Sequence, residues 1–398
     1  MIAAAPGGEA GPLVFLIAGE PSGDVLGARL MAALQDETGG RIRFAGVGGE
    51  AMAAQGLRSL VPIEELAVMG LVEVLPHVPR ILRRIRQTAA AARAARPAVV
   101  VTIDSPNFTL EVAKRLAGAG IPLVHYVAPS VWAWKPWRAR RMARYLDHLL
   151  VLLPFEPAYF ETHGLATTFV GHSALEAGHP ASDRGTFRRR HGIAPDAPLL
   201  CVLPGSRRGE VRRLAPVFGS ALGLLKERFP ALRAVVPTVF TVADDVAAAV
   251  RGWPVAAEIL RSECEKAEGF AVCDAALAAS GTVAVELAVA QVPTVIAYRL
   301  APLTAVLARR IVKLRHVSIP NILLGREAQP EFLLERCTAE NLAEAVGRLL
   351  SDPAARQAQI AACREAVDAL DPGGETPSRR AARQVLALIR SGRNRQIR

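Results

Sequence analysis

The feature that most constrains this chain is an alternation of short apolar runs with longer amphipathic stretches, kept up over most of its length. Residues 13–17, 43–47, 99–103, 123–127, 148–153 and 168–170 form one series of such runs. Residues 199–203, 233–236, 275–279 and 294–298 form a second. Continuous runs rich in β-branched residues, separated by helical patterns, read as parallel strands buried on both faces in βα units. The spacing therefore predicts an α/β protein with a doubly wound parallel sheet, built twice. At 398 residues the chain is also too long for one ordinary core.

The two series part after Gly171-His172-Ser173. The stretch 173–196, with Gly178, Pro180, Pro195 and the Arg188-Arg189-Arg190 cluster, reads as the linker, and a new strand begins at Leu199. This places an N-terminal domain over 1–172 and a C-terminal domain over 173–375. The remainder, 376–398, reads as a basic helix with the apolar positions Ala381, Val385, Leu386, Leu388 and Ile389, packing back on the N-terminal domain. No repeat of solenoid length and no low-complexity segment interrupts the pattern.

Composition narrows the class. A hydrophobic fraction of 51% with 21% charged residues excludes general disorder, and 5% aromatics makes the core mostly aliphatic. The longest stretch without a formal charge, 116–134, contains Gly118, Gly120, Pro122 and Pro129, which excludes a clean spanning helix. The N-terminus has neither a cationic start nor a signal-type apolar run, so a cytoplasmic location is expected. Five cysteines stand scattered without a CxxC pair, as core thiols in a reducing compartment do. The net charge of +11, with only five lysines among 48 cations, favours anionic partners. Basic clusters without interleaved aromatics, and the lack of a recognised motif, argue against nucleic acid as one of them.

Several turns carry candidate chemistry. The first strand ends in Ala18-Gly19-Glu20-Pro21-Ser22-Gly23-Asp24, a glycine-rich turn without the GxGxxG spacing of dinucleotide sites. It reads either as a tight turn or as a loop admitting a bulky sugar or phosphate, with Glu20, Ser22, Gly23 and Asp24 as its candidate residues. Gly46-Val47-Gly48-Gly49 likewise lacks a dinucleotide pattern. Asp104 directly follows the buried run 99–103, and ligands of open α/β sheets bind outside the carboxyl ends of strands. It is a candidate general base, against the plainer reading as a helix cap. In the second half, Gly205, Ser206 and Arg207 follow a strand in a turn whose amides and guanidinium suit an anion. Ser280, Gly281 and Thr282 repeat that arrangement, and Glu286 lies one turn into the next helix, where it can take ribose hydroxyls. No DxD triplet occurs, and His125, His172 and His316 are separated, so neither metal nor any other cofactor is expected.

Residues 69–86 are unusual. Leu71, Val74, Leu75, Val78, Ile81, Leu82 and Ile85 follow helical spacing, and Arg80, Arg83, Arg84 and Arg86 crowd the end. The pattern suits a core-facing helix with a solvated basic face, or an interfacial segment on anionic lipid. Pro76 and Pro79 speak against one straight helix.

Taken together, AGEPSGD at 18–24, MGLVEVLP at 69–76, IDSPNF at 103–108 and HYVAPSVWAW at 125–134 resemble the lipid-A-disaccharide synthase family. So do LLPFE at 152–156, FVGH at 169–172, LPGSR at 203–207, ASGTVAVE at 279–286 and VSIPN at 317–321. The resemblance spans roughly residues 13 to 350 in order. It implies a GT-B glycosyltransferase, two Rossmann-like domains facing across a cleft. It further implies an inverting, metal-independent enzyme that joins UDP-2,3-diacylglucosamine to 2,3-diacylglucosamine 1-phosphate through a β(1→6) bond and releases UDP. Asp104 would be the acceptor-activating base. Gly205, Ser206, Arg207, Ser280, Gly281, Thr282, Glu286 and Asn321 would serve the nucleotide sugar. Met69, Leu71, Val72, Val74, Leu75 and Val78 would meet acyl chains at the inner face of the inner membrane, with an anionic membrane surface as partner. A homodimer is among the assemblies this allows. Within enzymes the alternatives are a UDP-N-acetylglucosamine 2-epimerase or the peptidoglycan-precursor glucosaminyltransferase. Outside them stands a non-catalytic UDP-sugar or lipid-binding module.

Overall fold

A computed structural model describes residues 11–66, 78–134, 137–176, 183–300 and 315–396. The chain forms two compact units, one running to Ser173 and resuming at Pro372, the other Ala174–Asp371.

The first unit is built on six parallel strands: β1 (Leu13–Ala18), β2 (Arg43–Val47), β3 (Val99–Ile103), β4 (Leu123–Tyr126), β5 (His148–Val151) and β6 (Thr167–Phe169). Their order is β2-β1-β3-β4-β5-β6. Val14, Phe15, Leu16 and Ile17 are all buried, so β1 is covered on both faces as its unbroken apolar run requires. On one face lies the helix Pro21–Thr38, begun by a proline in its first turn and ended by Gly39 in the left-handed conformation. The helix Pro377–Gln396 joins it in the same apolar layer through Ala381, Ala382, Val385 and Ile389, while Arg379 and Arg383 both hold Glu37. On the other face the helices Val78–Ala95, Thr109–Leu116 and Trp137–Met142 share a second layer. The chain leaves β1 toward β2 on one side and returns to β3 on the other. That reversal is the switch point where open α/β sheets bind ligands. The register pairs Ala18 with Ile103, so β1 and β3 end level and their following residues share one rim.

The second unit repeats the plan with β7 (Leu199–Leu203), β8 (Arg233–Pro237), β9 (Ala256–Leu260), β10 (Ala275–Ala279), β11 (Thr294–Tyr298) and β12 (Glu331–Leu333). The order β12-β11-β10-β7-β8-β9 puts its switch point between β7 and β10, where Leu203 pairs with Ala278. Strands β9 and β12 have no counterpart among the apolar runs of the sequence. Both are edge strands, β9 exposing Ala256 and Glu258 and β12 only three residues long. The stretch 173–196 also carries a helix, Arg184–Arg190, capped by the Asp183 carboxylate and anchored by buried Phe187. No described helix is long and apolar enough to cross a membrane.

Candidate functional site

In the first unit the switch-point rim carries Asp104. Its backbone N–H donates to the Tyr126 carbonyl at 2.9 Å and its carbonyl accepts from the Thr109 hydroxyl, which fixes the chain at the end of β3. Asp104 and Ser105 adopt positive φ angles of 48° and 43°, and Val127 after β4 reaches 77°. Such angles cost non-glycine residues roughly 1–3 kcal/mol each and cluster where a site demands a fixed side-chain direction. The Ser22 hydroxyl donates to Asp104 Oδ2 at 3.1 Å, while Oδ1 meets no donor among the described residues. Gly23 allows a close approach beside that contact. A Cβ there would stand 3.2 Å from the Ile103 carbonyl, so its absence lets the helix Pro21–Thr38 start against the end of β3. Asp104 does not cap the next helix, whose N-cap position is Phe108 without a side-chain cap. The half-buried carboxylate is thus held by one oxygen and open at the other.

One expectation shifts here. Asp24 turns inward, and both its oxygens are taken by the backbone N–H groups of Gly49, Ala51 and Met52 at 2.7–3.1 Å. It fastens the glycine turn after β2 and the start of the helix Glu50–Ala54, so the buried carboxylate spends three of its four acceptor positions inside the fold. Glu20 stands half-buried at the N-cap of the helix Pro21–Thr38, on the rim beside Ser22. Of the expected acyl-contacting residues, Met69, Leu71, Val72, Val74 and Leu75 lie outside the described residues. Val78 opens its helix and is exposed, as is Leu82, whereas Ile85, Ala89 and Ala92 further along are core.

The second rim gathers Gly205, Ser206 and Arg207 after β7 with Ser280, Gly281 and Thr282 after β10. Gly205 has φ 123° and a Cβ there would stand 2.6 Å from that of Glu210, so only glycine fits this turn. The Ser206 N–H donates to Glu210 Oε2 at 3.1 Å and Arg207 Nη1 to Oε1 at 2.9 Å. The Glu210 carboxylate thus engages a backbone amide and a guanidinium together in this turn. Gly281 and Thr282 are exposed, and the Ser280 N–H is tied to the Ala297 carbonyl. Glu286 Oε2 lies 2.7 Å from Lys266 Nζ. Burial lowers the Lys266 pKa, but the Glu286 and Glu263 carboxylates outweigh it and hold the ammonium above its usual value.

Asn321, expected beside the donor, is placed inside the second unit. It is fully buried, its Oδ1 accepts from the N–H groups of Ala328 and Gln329, and its Nδ2 donates to the Gln329 carbonyl and to Glu331. All four hydrogen-bonding positions are satisfied inside the protein. Its work is to hold the segment 316–321, and Glu331 shares it by accepting from the backbone N–H groups of Val317 and Ser318.

Sequence reasoning missed Glu331, and also Glu156. The Glu156 carboxyl, 3% exposed, accepts from the Trp132 indole at 3.3 Å and the Leu153 N–H at 3.1 Å, tying the chain after β4 to the chain after β5. Burial pushes its pKa up to about 7, with those hydrogen bonds opposing. The folded state therefore holds this proton up to about pH 7 while the unfolded chain releases it near 4.5. Stability falls as pH rises through that window, by about 3 kcal/mol for this group alone. Denaturant unfolding of wild type and Glu156→Gln at pH 4.5 and 8 should show the difference between them changing by that order, in favour of the variant at pH 8. A pH-independent difference would remove the assignment.

Comparison with known proteins gives a consistent result. The family model for lipid-A-disaccharide synthetase matches residues 14–385. The chain is 56% identical over 379 residues to the lipid-A-disaccharide synthase of Rhodospirillum centenum, covering 95% of this chain and 94% of that one. Among solved structures, the UDP-GlcNAc 2-epimerase from Neisseria meningitidis bound to UDP-GlcNAc superposes with a TM-score of 0.66 at 11% identity, covering 95% of this chain and all of that one. The calicheamicin glycosyltransferase CalG4 superposes with a TM-score of 0.55 at 18% identity, covering 95% and 98%. At these identities the structures speak for the fold alone, which is GT-B.

Proposed function

The chain belongs to the lipid-A-disaccharide synthase family and is a glycosyltransferase of lipid A biosynthesis, and from that premise we propose its substrates and mechanism. The donor is UDP-2,3-diacylglucosamine and the acceptor 2,3-diacylglucosamine 1-phosphate. The acceptor 6-hydroxyl attacks the anomeric carbon of the donor; the new O–C bond forms as the bond to the diphosphate breaks, with inversion to the β(1→6) disaccharide. The hydroxyl proton passes to Asp104, and the bonding electron pair leaves with UDP. A sugar hydroxyl is a poor nucleophile near neutral pH, so removal of its proton during attack is where a carboxylate contributes most. The observation that carries this reading is the Asp104 carboxylate at the switch point, oriented by Ser22 and open at Oδ1.

Charge on the departing UDP falls to the second unit. Arg207 and the Ser206 N–H would exchange Glu210 for the diphosphate, the exposed Gly281 and Thr282 would add their amides, and Glu286 would accept from the ribose hydroxyls. That a protein of like fold is seen with UDP-GlcNAc supports a UDP-sugar here. Arg207→Ala should weaken UDP binding about tenfold or more while the fold survives, because the guanidinium is exposed and its loss removes one charge-assisted contact. Calorimetric titration with UDP measures this, and unchanged affinity would move the phosphate site elsewhere.

The same reading makes the protein cytoplasmic and peripheral on the anionic inner face of the inner membrane. Val78 and Leu82 are exposed beside the exposed Arg80, Arg83 and Arg86, which suits such a surface. Replacing Leu71, Val74 and Leu75 by Ser should reduce sedimentation with anionic liposomes and leave cooperative melting intact. Loss of melting instead would make the segment part of the core.

A further inference from the structure

A second exposed apolar side chain amid cations lies on the first unit. The helix Trp137–Met142 buries Ala139 and Met142 and turns Trp137, 57% exposed, to solvent together with Arg140 and Arg141; Arg144 follows directly and is also exposed. Arg141 lies 3.4 Å from Glu111, a carboxylate it shares with Arg115. Arg140 and Arg144 meet no acidic partner among the described residues. Of the other carboxylates of this layer, Glu65 is paired with Arg84, Asp147 accepts from the Leu123 N–H, and Glu161 is exposed on the helix Pro157–Glu161. Around Trp137 itself Arg140, Arg141 and Arg144 outnumber the one carboxylate paired with them, Glu111, so the large aromatic ring is set among cations.

Its position matters as much as its chemistry. The helix belongs to the connection from the carboxyl end of β4 to β5, and Trp137 is its first residue, toward the rim that carries Asp104. Ala139 and Met142 lie in the same apolar layer as Ile85 and Ala89 of the helix Val78–Ala95. Both helices thus cover one side of the sheet, and both expose apolar side chains among exposed arginines there. An indole half out of the protein leaves apolar area in water unless something covers it, and indoles settle where one end is apolar and the other wet. Arginines beside it offer bidentate contacts to phosphate while their stems lie along the apolar boundary.

We propose that Trp137, Arg140, Arg141 and Arg144 form a second lipid contact that seats the indole at headgroup level in an anionic phospholipid surface, with the guanidinium groups on lipid phosphates. The proposal rests on the reading that the enzyme works at a bilayer, and it adds where the bilayer lies: along the three-helix side of the first unit.

The test is sedimentation of the full-length protein with phosphatidylglycerol vesicles and with phosphatidylcholine vesicles, for wild type, Arg140→Gln/Arg144→Gln, Trp137→Ser, and the Leu71→Ser/Val74→Ser/Leu75→Ser variant. Partition into phosphatidylglycerol should fall about tenfold or more in the double arginine variant and by a similar factor in Trp137→Ser, with melting and turnover on detergent-dispersed substrates unchanged. Brominated lipid should quench wild-type tryptophan emission, and Trp137→Phe should lose that quenching. If both helix variants sediment like wild type while the 71/74/75 variant does not, this contact is overturned and the bilayer reading stands. Equal wild-type binding to the two vesicle types would also overturn it. If wild type binds neither, the bilayer reading falls and takes the contact with it.

Discussion

Asp104→Asn is expected to lower turnover by roughly two to four orders of magnitude, the span of a lost general base, while UDP affinity stays near wild type. The substitution keeps the size of the side chain and an oxygen that can accept from Ser22, so the hydrogen bond across 82 residues can persist. What it removes is basicity. The positive φ at Asp104 favours this variant, since asparagine is among the residues that tolerate the left-handed region best. UDP affinity should hold because the groups proposed for the nucleotide are carried by the second unit. Steady-state turnover with saturating acylated sugars, paired with UDP calorimetry, reads both quantities. Turnover near wild type would sink Asp104 as the base, and Glu20 on the same rim would be the next residue to replace.

Glu331→Ala is expected to be the most damaging single substitution in the second unit. This buried carboxylate accepts from the N–H groups of Val317 and Ser318 and from Asn321 Nδ2, at 2.7–3.1 Å. Truncation leaves two buried donors, the Ser318 N–H and Asn321 Nδ2, and the half-buried Val317 N–H without an acceptor, at about 1–3 kcal/mol for each buried one. A loss of roughly 3–6 kcal/mol is therefore expected in denaturant unfolding, a large part of a typical domain's stability. UDP binding should weaken with it, since the Ser280 hydroxyl reaches the Val317 carbonyl and so shares the segment that Glu331 holds. A change below about 1 kcal/mol would mean the network is not cooperative and that water replaces the lost acceptor.

What could be read from the sequence follows from burial. Strands β1, β3, β7 and β10 are apolar on both faces, so each appears as an unbroken run, and the acid after β3 stands out against it. Strand β9 exposes Ala256 and Glu258, and β12 begins with the buried acid Glu331, so neither resembles a buried run. The placing of Asp104 outside a strand end was legible because sheet geometry dictates it. The hydroxyl that orients it was not, because Ser22 meets it only through the register of β1 against β3. Asp24 shows the reverse case. As a loop acid in a glycine-rich turn it looks available, yet three N–H groups from the turn after β2 enclose it. The structural bonds of Asn321 were hidden for the same reason, its partners lying seven to ten residues downstream in a segment with no apolar signal. Glu156 gave no sign, since a carboxyl that stays protonated near neutral pH through burial looks in sequence like any other glutamate.

The account is tested most directly by following UDP release with UDP-2,3-diacylglucosamine alone and then with 2,3-diacylglucosamine 1-phosphate added. It predicts UDP release only when the acceptor is present, in step with a β(1→6)-linked disaccharide 1-phosphate, and strongly reduced in Asp104→Asn. UDP release or conversion of the donor sugar at the same rate without acceptor, or a product with retained anomeric configuration, would contradict it.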